Sequence, residues 1–193
     1  MTNRVTLFRA DMFHNKNVGT VEQRQQLINQ IKEKKQQHPY GSMDSNPGCW
    51  RWGEPCTDID WLFAEINKML SLAIDLYAEE DKTFSHFKSC EEIQISYWAN
   101  VNQPGSRNIF HSHKEDHFAL CYYLQAEGTG DLRLVNHINI LGDCNKTAPF
   151  ARDVTISPMD GDLFMWPAWV PHEVETNLSD KERINLVFNI KLK

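Results

Sequence analysis

The sequence lacks any run of eighteen apolar residues, the length a helix needs to cross a bilayer, and its opening Met-Thr-Asn-Arg-Val-Thr-Leu-Phe lacks the apolar centre of a secretory signal. Cysteine is sparse and odd in number: Cys49, Cys56, Cys90, Cys121 and Cys144 are widely spaced, with no Cys-x-x-Cys pair. This excludes a disulfide framework or a zinc-finger type of site, and the expectation is free thiols in a reducing cytoplasm. A basic excess is also missing. A formal net charge of −6 and a pI of about 5.7 speak against a binder of nucleic-acid phosphates. The one cationic cluster, Lys32 to Lys35 with Arg24 upstream, lies in a Gln-rich helical stretch and reads as a solvated face. No internal repeat is present.

What the chain does contain is an ordinary globular balance, 41% hydrophobic and 24% charged residues, so it can bury a core without help from disulfides. The expectation is one domain over residues 1–193, in which 1–90 form a helical and loop support and 91–193 a β core. From Thr20 to Gln37, Val21, Leu27, Ile28 and Ile31 mark one helical stripe. Residues 38–57 are dense in Gly, Pro and Asn, with Trp50 and Trp52 among them, and read as a loop whose part from Ser42 to Thr57 is a candidate lid. A second helix runs through Tyr77, capped by Asp58 or Asp60, with Trp61, Leu62, Ile66, Met69, Leu70, Ala73 and Ile74 at helical spacing.

After Glu92 the period changes to two. Eight short strands are predicted: Ile93–Ala99, Asn108–His113, Phe118–Gln125, Asp131–Val135, Asp153–Ser157, Asp162–Trp166, His172–Glu175 and Arg183–Lys191. Turn formers at Pro104-Gly105, Gly128-Thr129-Gly130 and Asp160-Gly161 separate them, which suggests an antiparallel sandwich or barrel buttressed by an N-terminal helical layer.

His111 and His113 stand two apart at the end of a predicted strand, a spacing that turns both imidazoles to one face. With His172, which follows the aromatic Trp166-Pro167-Ala168-Trp169-Val170-Pro171, they make two near ligands and one distant one, the pattern of a facial metal triad. Arg183 opens the strand eleven residues after His172, and its planar fork is suited to gripping a carboxylate at two points. The frame His113-Lys114-Glu115 offers a His-x-Glu alternative, in which Glu115 replaces His111 as ligand. Asp116 and His117 read either as outer partners that fix an imidazole tautomer or as part of a polar turn. His14, His38, His86 and His137 have no partner at ligand spacing and read as structural or surface residues.

These segments resemble the Fe(II)/2-oxoglutarate-dependent oxygenases, closest to the prolyl-hydroxylase-like branch and to its members with a His-x-His before a Tyr-Tyr strand. The resemblance runs from Ile93 to Ile190. It is carried by Tyr97-Trp98-Ala99-Asn100-Val101-Asn102-Gln103-Pro104-Gly105, His111-Ser112-His113, Leu120-Cys121-Tyr122-Tyr123-Leu124, Gly161-Asp162-Leu163-Phe164-Met165-Trp166-Pro167, His172 and Arg183. It implies a mainly β fold, a double-stranded β-helix (jelly roll, cupin-like), with Fe(II) held by His111, His113 and His172 and 2-oxoglutarate by Arg183 with Tyr122. Most of the superfamily has a carboxylate where His113 stands.

The implied partners are dioxygen and a small-molecule or peptide substrate, with no membrane and no nucleic acid. Trp50, Trp52, Trp98, Trp166 and Trp169 are candidates for a substrate platform or, alternatively, for the core. Two other readings of the residues remain: a cupin-type metal enzyme that does not use 2-oxoglutarate, and a non-catalytic β-sandwich binding module. Arg183 distinguishes the first of these, because only the 2-oxoglutarate reading calls for it.

Overall fold

The computed structural model describes residues 9–41, 48–90, 92–113, 115–136 and 152–193; Cys144, His137, Lys114 and positions 42–47 of the expected lid lie outside the described residues. The first elements among the described residues are a short strand β1 (Phe13–Asn15) and helix α1 (Val21–Gln37). Thr20 starts this helix with a capping box, its Oγ1 accepting the Gln23 N–H at 3.2 Å while Gln23 Oε1 accepts the Thr20 N–H at 2.8 Å. Leu27, Ile28 and Ile31 of the stripe are buried, whereas Val21 is exposed.

Strand β2 (Cys49–Gly53) comes next, then helix α2 (Asp60–Glu80). Neither expected aspartate caps α2. Ile59 occupies the cap position with no side-chain bond, Asp58 turns the chain at a φ of 58°, and Asp60 sits in the first helical turn, where its charge complements the helix dipole. One face of α2, from Leu62 through Ile66, Met69, Leu70, Ala73 and Ile74 to Ala78, is buried.

The β core follows as β3 (Ile93–Asn102), β4 (Asn108–His111), β5 (Phe118–Gln125), β6 (Leu132–Leu134), β7 (Val154–Ile156), β8 (Leu163–Pro167), β9 (His172–Val174) and β10 (Arg183–Leu192). All described pairings are antiparallel, in a six-stranded sheet of order β1-β8-β5-β10-β3-β2 and a four-stranded sheet of order β4-β9-β6-β7. The two sheets make the jelly roll. The eight expected strands are present, and β1 and β2 add to them. The loop reading of residues 38–57 is corrected at Cys49–Gly53, which pairs with β3 at the sheet edge. Its alternation is too short to stand out among turn formers, and its partner lies far along the chain.

Strand alternation sorts the side chains into two cores. Phe118, Leu120, Tyr122 and Leu124 of β5, with Ile184, Leu186, Phe188 and Ile190 of β10, turn outward and pack under α1 and α2. Ala119, Cys121 and Tyr123 turn inward, with Phe164 and Trp166 of β8, into the space between the sheets. No helix among the described residues is long and apolar enough to cross a membrane.

Candidate active site

The register of the smaller sheet brings three histidines together. His111, the last residue of β4, lies directly opposite His172, the first of β9. The β4 strand ends there rather than at His113, which is held just beyond it by its N–H donating to Ala168 O at 2.9 Å. The three rings converge, with centroids 4.3 Å apart for His111 and His172, 5.1 Å for His111 and His113, and 5.2 Å for His113 and His172. One ligand atom from each lies within 4.8 Å of the others, a group that could hold a metal ion. Glu115 is exposed and is not part of this group.

Local hydrogen bonds orient two of the rings. His111 Nδ1 donates to Ile109 O at 2.6 Å and His172 Nδ1 donates to Val170 O at 3.1 Å, which leaves the Nε2 lone pair of each free for a ligand bond. Burial lowers the pKa of all three histidines. His172 is pushed down to about 3 and His113 to about 4, first by desolvation and then by the charge of neighbouring histidines, to which Arg51 adds at His113. His111 is lowered for the same first reason, and Arg51 contributes there too. At neutral pH all three are therefore uncharged and able to ligate.

Arg183 lies at 0% exposure on the inner face of β10. Its Nη1 donates to Thr129 O at 2.8 Å and its Nη2 to Asn108 Oδ1 at 3.0 Å, the latter oxygen also accepting from Asn102 Nδ2 at 2.9 Å. Both acceptors are uncharged. Desolvation lowers the guanidinium pKa, and Nε has no partner among the described residues. Gly130 makes this position accessible: at a φ of 104°, a Cβ there would stand 2.6 Å from Glu175 O and 3.2 Å from Arg183 Nη1.

Tyr122 does not share this space. It faces the helix layer, where its hydroxyl donates to Val18 O at 2.6 Å and its ring meets Trp61 edge-on. The expectation that Tyr122 joins Arg183 is corrected by the parity of β5, because Tyr123 is the tyrosine that turns inward, opposite Asn185 of β10. The Tyr123 hydroxyl is buried with no partner among the described residues, and burial raises its pKa well above the ordinary value. Asn185 Oδ1, Asn189 Oδ1 and Trp166 Nε1 are buried and unpartnered in the same sense, so the inner face of β5, β8 and β10 carries a set of unused donors and acceptors. Such atoms are costly to bury without a partner, and their concentration here points to a polar ligand.

Sequence reasoning misses Tyr123, Asn108 and Thr129. Polar residues at alternate positions of β10, Asn185 and Asn189, are the available signal for an inner polar wall.

The tryptophans divide. Trp50 and Trp52 belong to the helix-side core, and Trp166 is buried edge-on to His172, with ring centroids 5.1 Å apart. Trp98 is half-buried 6.0 Å from the His113 ring, with the Arg51 guanidinium 4.2 Å above it, and Trp169 is 45% exposed. Of the other histidines, His14 bonds Asp162 at 3.0 Å and His38 stacks on Trp52, whereas His86 is exposed. Of the cationic residues of α1, Arg24 donates to Gly19 O at 2.7 Å and Lys35 pairs with Glu182 at 2.8 Å.

Residues 96–189 match the model of a family described as "Putative 2OG-Fe(II) oxygenase". No curated protein matches the chain in sequence. Among solved structures, a Pseudomonas putida prolyl-4-hydroxylase superposes with a TM-score of 0.65 at 13% identity, over 94% of this chain and 92% of that one. A Trichoplax adhaerens prolyl hydroxylase, in complex with a hypoxia inducible factor oxygen degradation domain peptide fragment, gives 0.66 at 14% identity, over 93% and 83%. HygX from Streptomyces hygroscopicus, with nickel and 2-oxoglutarate bound, gives 0.62 at 9% identity, over 93% and 82%. At these identities the likeness is one of fold, the double-stranded β-helix. The chain is thus similar to the putative 2OG-Fe(II) oxygenases over residues 96–189, just under half of its length, and shares the double-stranded β-helix fold of the prolyl hydroxylases.

Proposed function

We propose that the chain is a dioxygenase that hydroxylates a small-molecule or peptide substrate with release of succinate and carbon dioxide. His111, His113 and His172 would hold the iron, and Arg183 with Tyr123 would receive the distal carboxylate of 2-oxoglutarate. When bound, iron and 2-oxoglutarate supply the oxidative chemistry, coupling decarboxylation of the co-substrate to oxidation of the substrate by dioxygen. The residues of the chain supply orientation and charge.

The observation that carries this reading is Arg183: a fully buried guanidinium bonded only to neutral oxygens, with Nε and the nearby Tyr123 hydroxyl unused. A buried cation is costly unless an anion completes it, and a dicarboxylate fits that requirement. A cupin-type enzyme without 2-oxoglutarate would have no use for this cation. Three neutral imidazoles also leave the bound metal more positive than two imidazoles and a carboxylate would, which favours an anionic co-substrate. The four described cysteines are free thiols, in keeping with a reducing cytoplasm.

The test is succinate release with Fe(II), 2-oxoglutarate and ascorbate, first without a second substrate and then against a panel of small molecules and peptides, with His172→Ala as the blank. Release by the wild type and none by His172→Ala is expected. No release by the wild type under any of these conditions would overturn the reading.

A further inference from the structure

His111 and His172 each find a backbone acceptor for Nδ1, but His113 does not. Its Nδ1 meets Asn189, whose Nδ2 lies 3.2 Å away and donates to Asp116 Oδ2 at 2.8 Å. The carboxylate decides which end of the amide faces the pair, since an amide oxygen at that distance from it would be repelled. Asn189 Oδ1 is left buried with no partner among the described residues.

Asn189 stands on the inner face of β10, opposite Ala119 of β5, while Phe188 and Ile190 beside it fill the helix-side core. Packing alone gives no reason for an amide there. The turn bearing Asp116 is also pinned: the Asp116 N–H donates to His113 O at 3.2 Å and the His117 N–H to Ile190 O at 2.8 Å. His117 Nδ1 accepts from the Leu192 N–H at 3.2 Å, so His117 secures the turn to β10. Asp116 is thereby kept beside the imidazole instead of extending into solvent.

Resting on the reading of the three histidines as an iron centre, we propose that Asp116 and Asn189 are positioning residues of that centre. Asn189 holds the Asp116 carboxylate beside His113, where it supplies, outside the ligand set, the negative charge that a carboxylate ligand would otherwise bring. A divalent cation among three neutral imidazoles keeps its full charge, and Arg51, stacked on Trp98 beside His113, adds charge of the wrong sign. A carboxylate held beside His113 by this amide offsets both, because Coulomb attraction over a few ångströms in a partly buried site is weakly screened.

The experiment uses the full chain freed of metal, with Co(II) as the probe titrated by its visible absorption, followed by 2-oxoglutarate titration of the Co(II)-saturated protein. Asp116→Asn retains an oxygen to accept from Asn189 and removes only the charge, whereas Asn189→Leu keeps the volume and removes the link. Each variant is expected to weaken Co(II) binding about tenfold or more, within the range known for outer partners of metal ligands. The double variant should bind no more weakly than the weaker single one.

The sign of the second titration separates charge from disruption. Asp116→Asn should leave 2-oxoglutarate affinity unchanged or tighter, since losing a negative charge disfavours a cation but not a dianion. Wild-type Co(II) affinity in Asp116→Asn would overturn the proposal, as would a parallel loss of Co(II) and 2-oxoglutarate affinity. Should Asn189→Leu fail to fold, Asp116→Asn decides alone. A wild type that binds neither Co(II) nor Fe(II) would overturn the iron-centre reading and this proposal with it.

Discussion

Replacing Arg183 with methionine separates what the cation does for the fold from what it does for the co-substrate. In the ligand-free protein the change removes a buried, acid-free guanidinium, which relieves a desolvation penalty of several kcal/mol. Against this, Thr129 O loses its donor at a cost of about 1–3 kcal/mol. Asn108 Oδ1 keeps the bond from Asn102. The two effects nearly cancel, so the ligand-free variant should be about as stable as the wild type.

The 2-oxoglutarate response should differ sharply. Loss of a charge-assisted contact of about 1.5–3 kcal/mol weakens binding roughly ten- to a hundredfold. At a concentration one hundred times the wild-type Kd, ligand stabilises the wild type by about 2.7 kcal/mol but the variant by only about 0.4–1.4 kcal/mol. In a protein of this size that is a thermal shift of roughly 5–11 °C for the wild type and about 1–6 °C for the variant. Anaerobic thermal unfolding with Fe(II), with and without 2-oxoglutarate, reads the difference. A full wild-type shift in Arg183→Met would refute the assignment, and collapse of the ligand-free variant would show that the cation is structural.

Two further outcomes follow from the same geometry. Tyr123→Phe removes an unpartnered hydroxyl, so it should not destabilise the fold but should weaken 2-oxoglutarate binding about three- to tenfold, whereas Tyr122→Phe loses the bond to Val18 and about 1 kcal/mol of stability with affinity unchanged. The reverse pattern in calorimetric titration and denaturant melts would contradict the parity of β5. In the metal-free protein, His113 and His172 stay neutral down to about 4 and 3, while their counterparts in the unfolded chain take up protons near pH 6.5. The unfolded state then binds more protons, so stability should fall as pH drops from 6.5 toward 4, by up to about 1.4 kcal/mol per pH unit for each histidine. A flat stability profile in denaturant melts between pH 7 and 5 would contradict this.

The helices and most strands are legible in the chain because their signals are local. The stripe of α2 and the alternation of β5 and β10 repeat over enough residues to reveal their period, and His172 and Arg183 open two strands that are consecutive in the chain. β2 escapes because five residues at a sheet edge draw their pairing from a distant partner.

The histidine cluster shows the same division. The sequence leaves His111 and Glu115 as alternatives, and the cross-strand pairing of His111 with His172 is what brings His111 into the cluster and leaves Glu115 exposed. Adjacent Tyr122 and Tyr123 are equivalent as letters, since alternation states that they face opposite ways but not which way is inward. That depends on which face of β5 the helices cover, a property of layers brought together from opposite ends of the chain. The same holds for the contacts among His113, Asn189 and Asp116: the spacing of strand residues is written locally, whereas the neighbours of a buried side chain are set by sheet register and by what packs over each face.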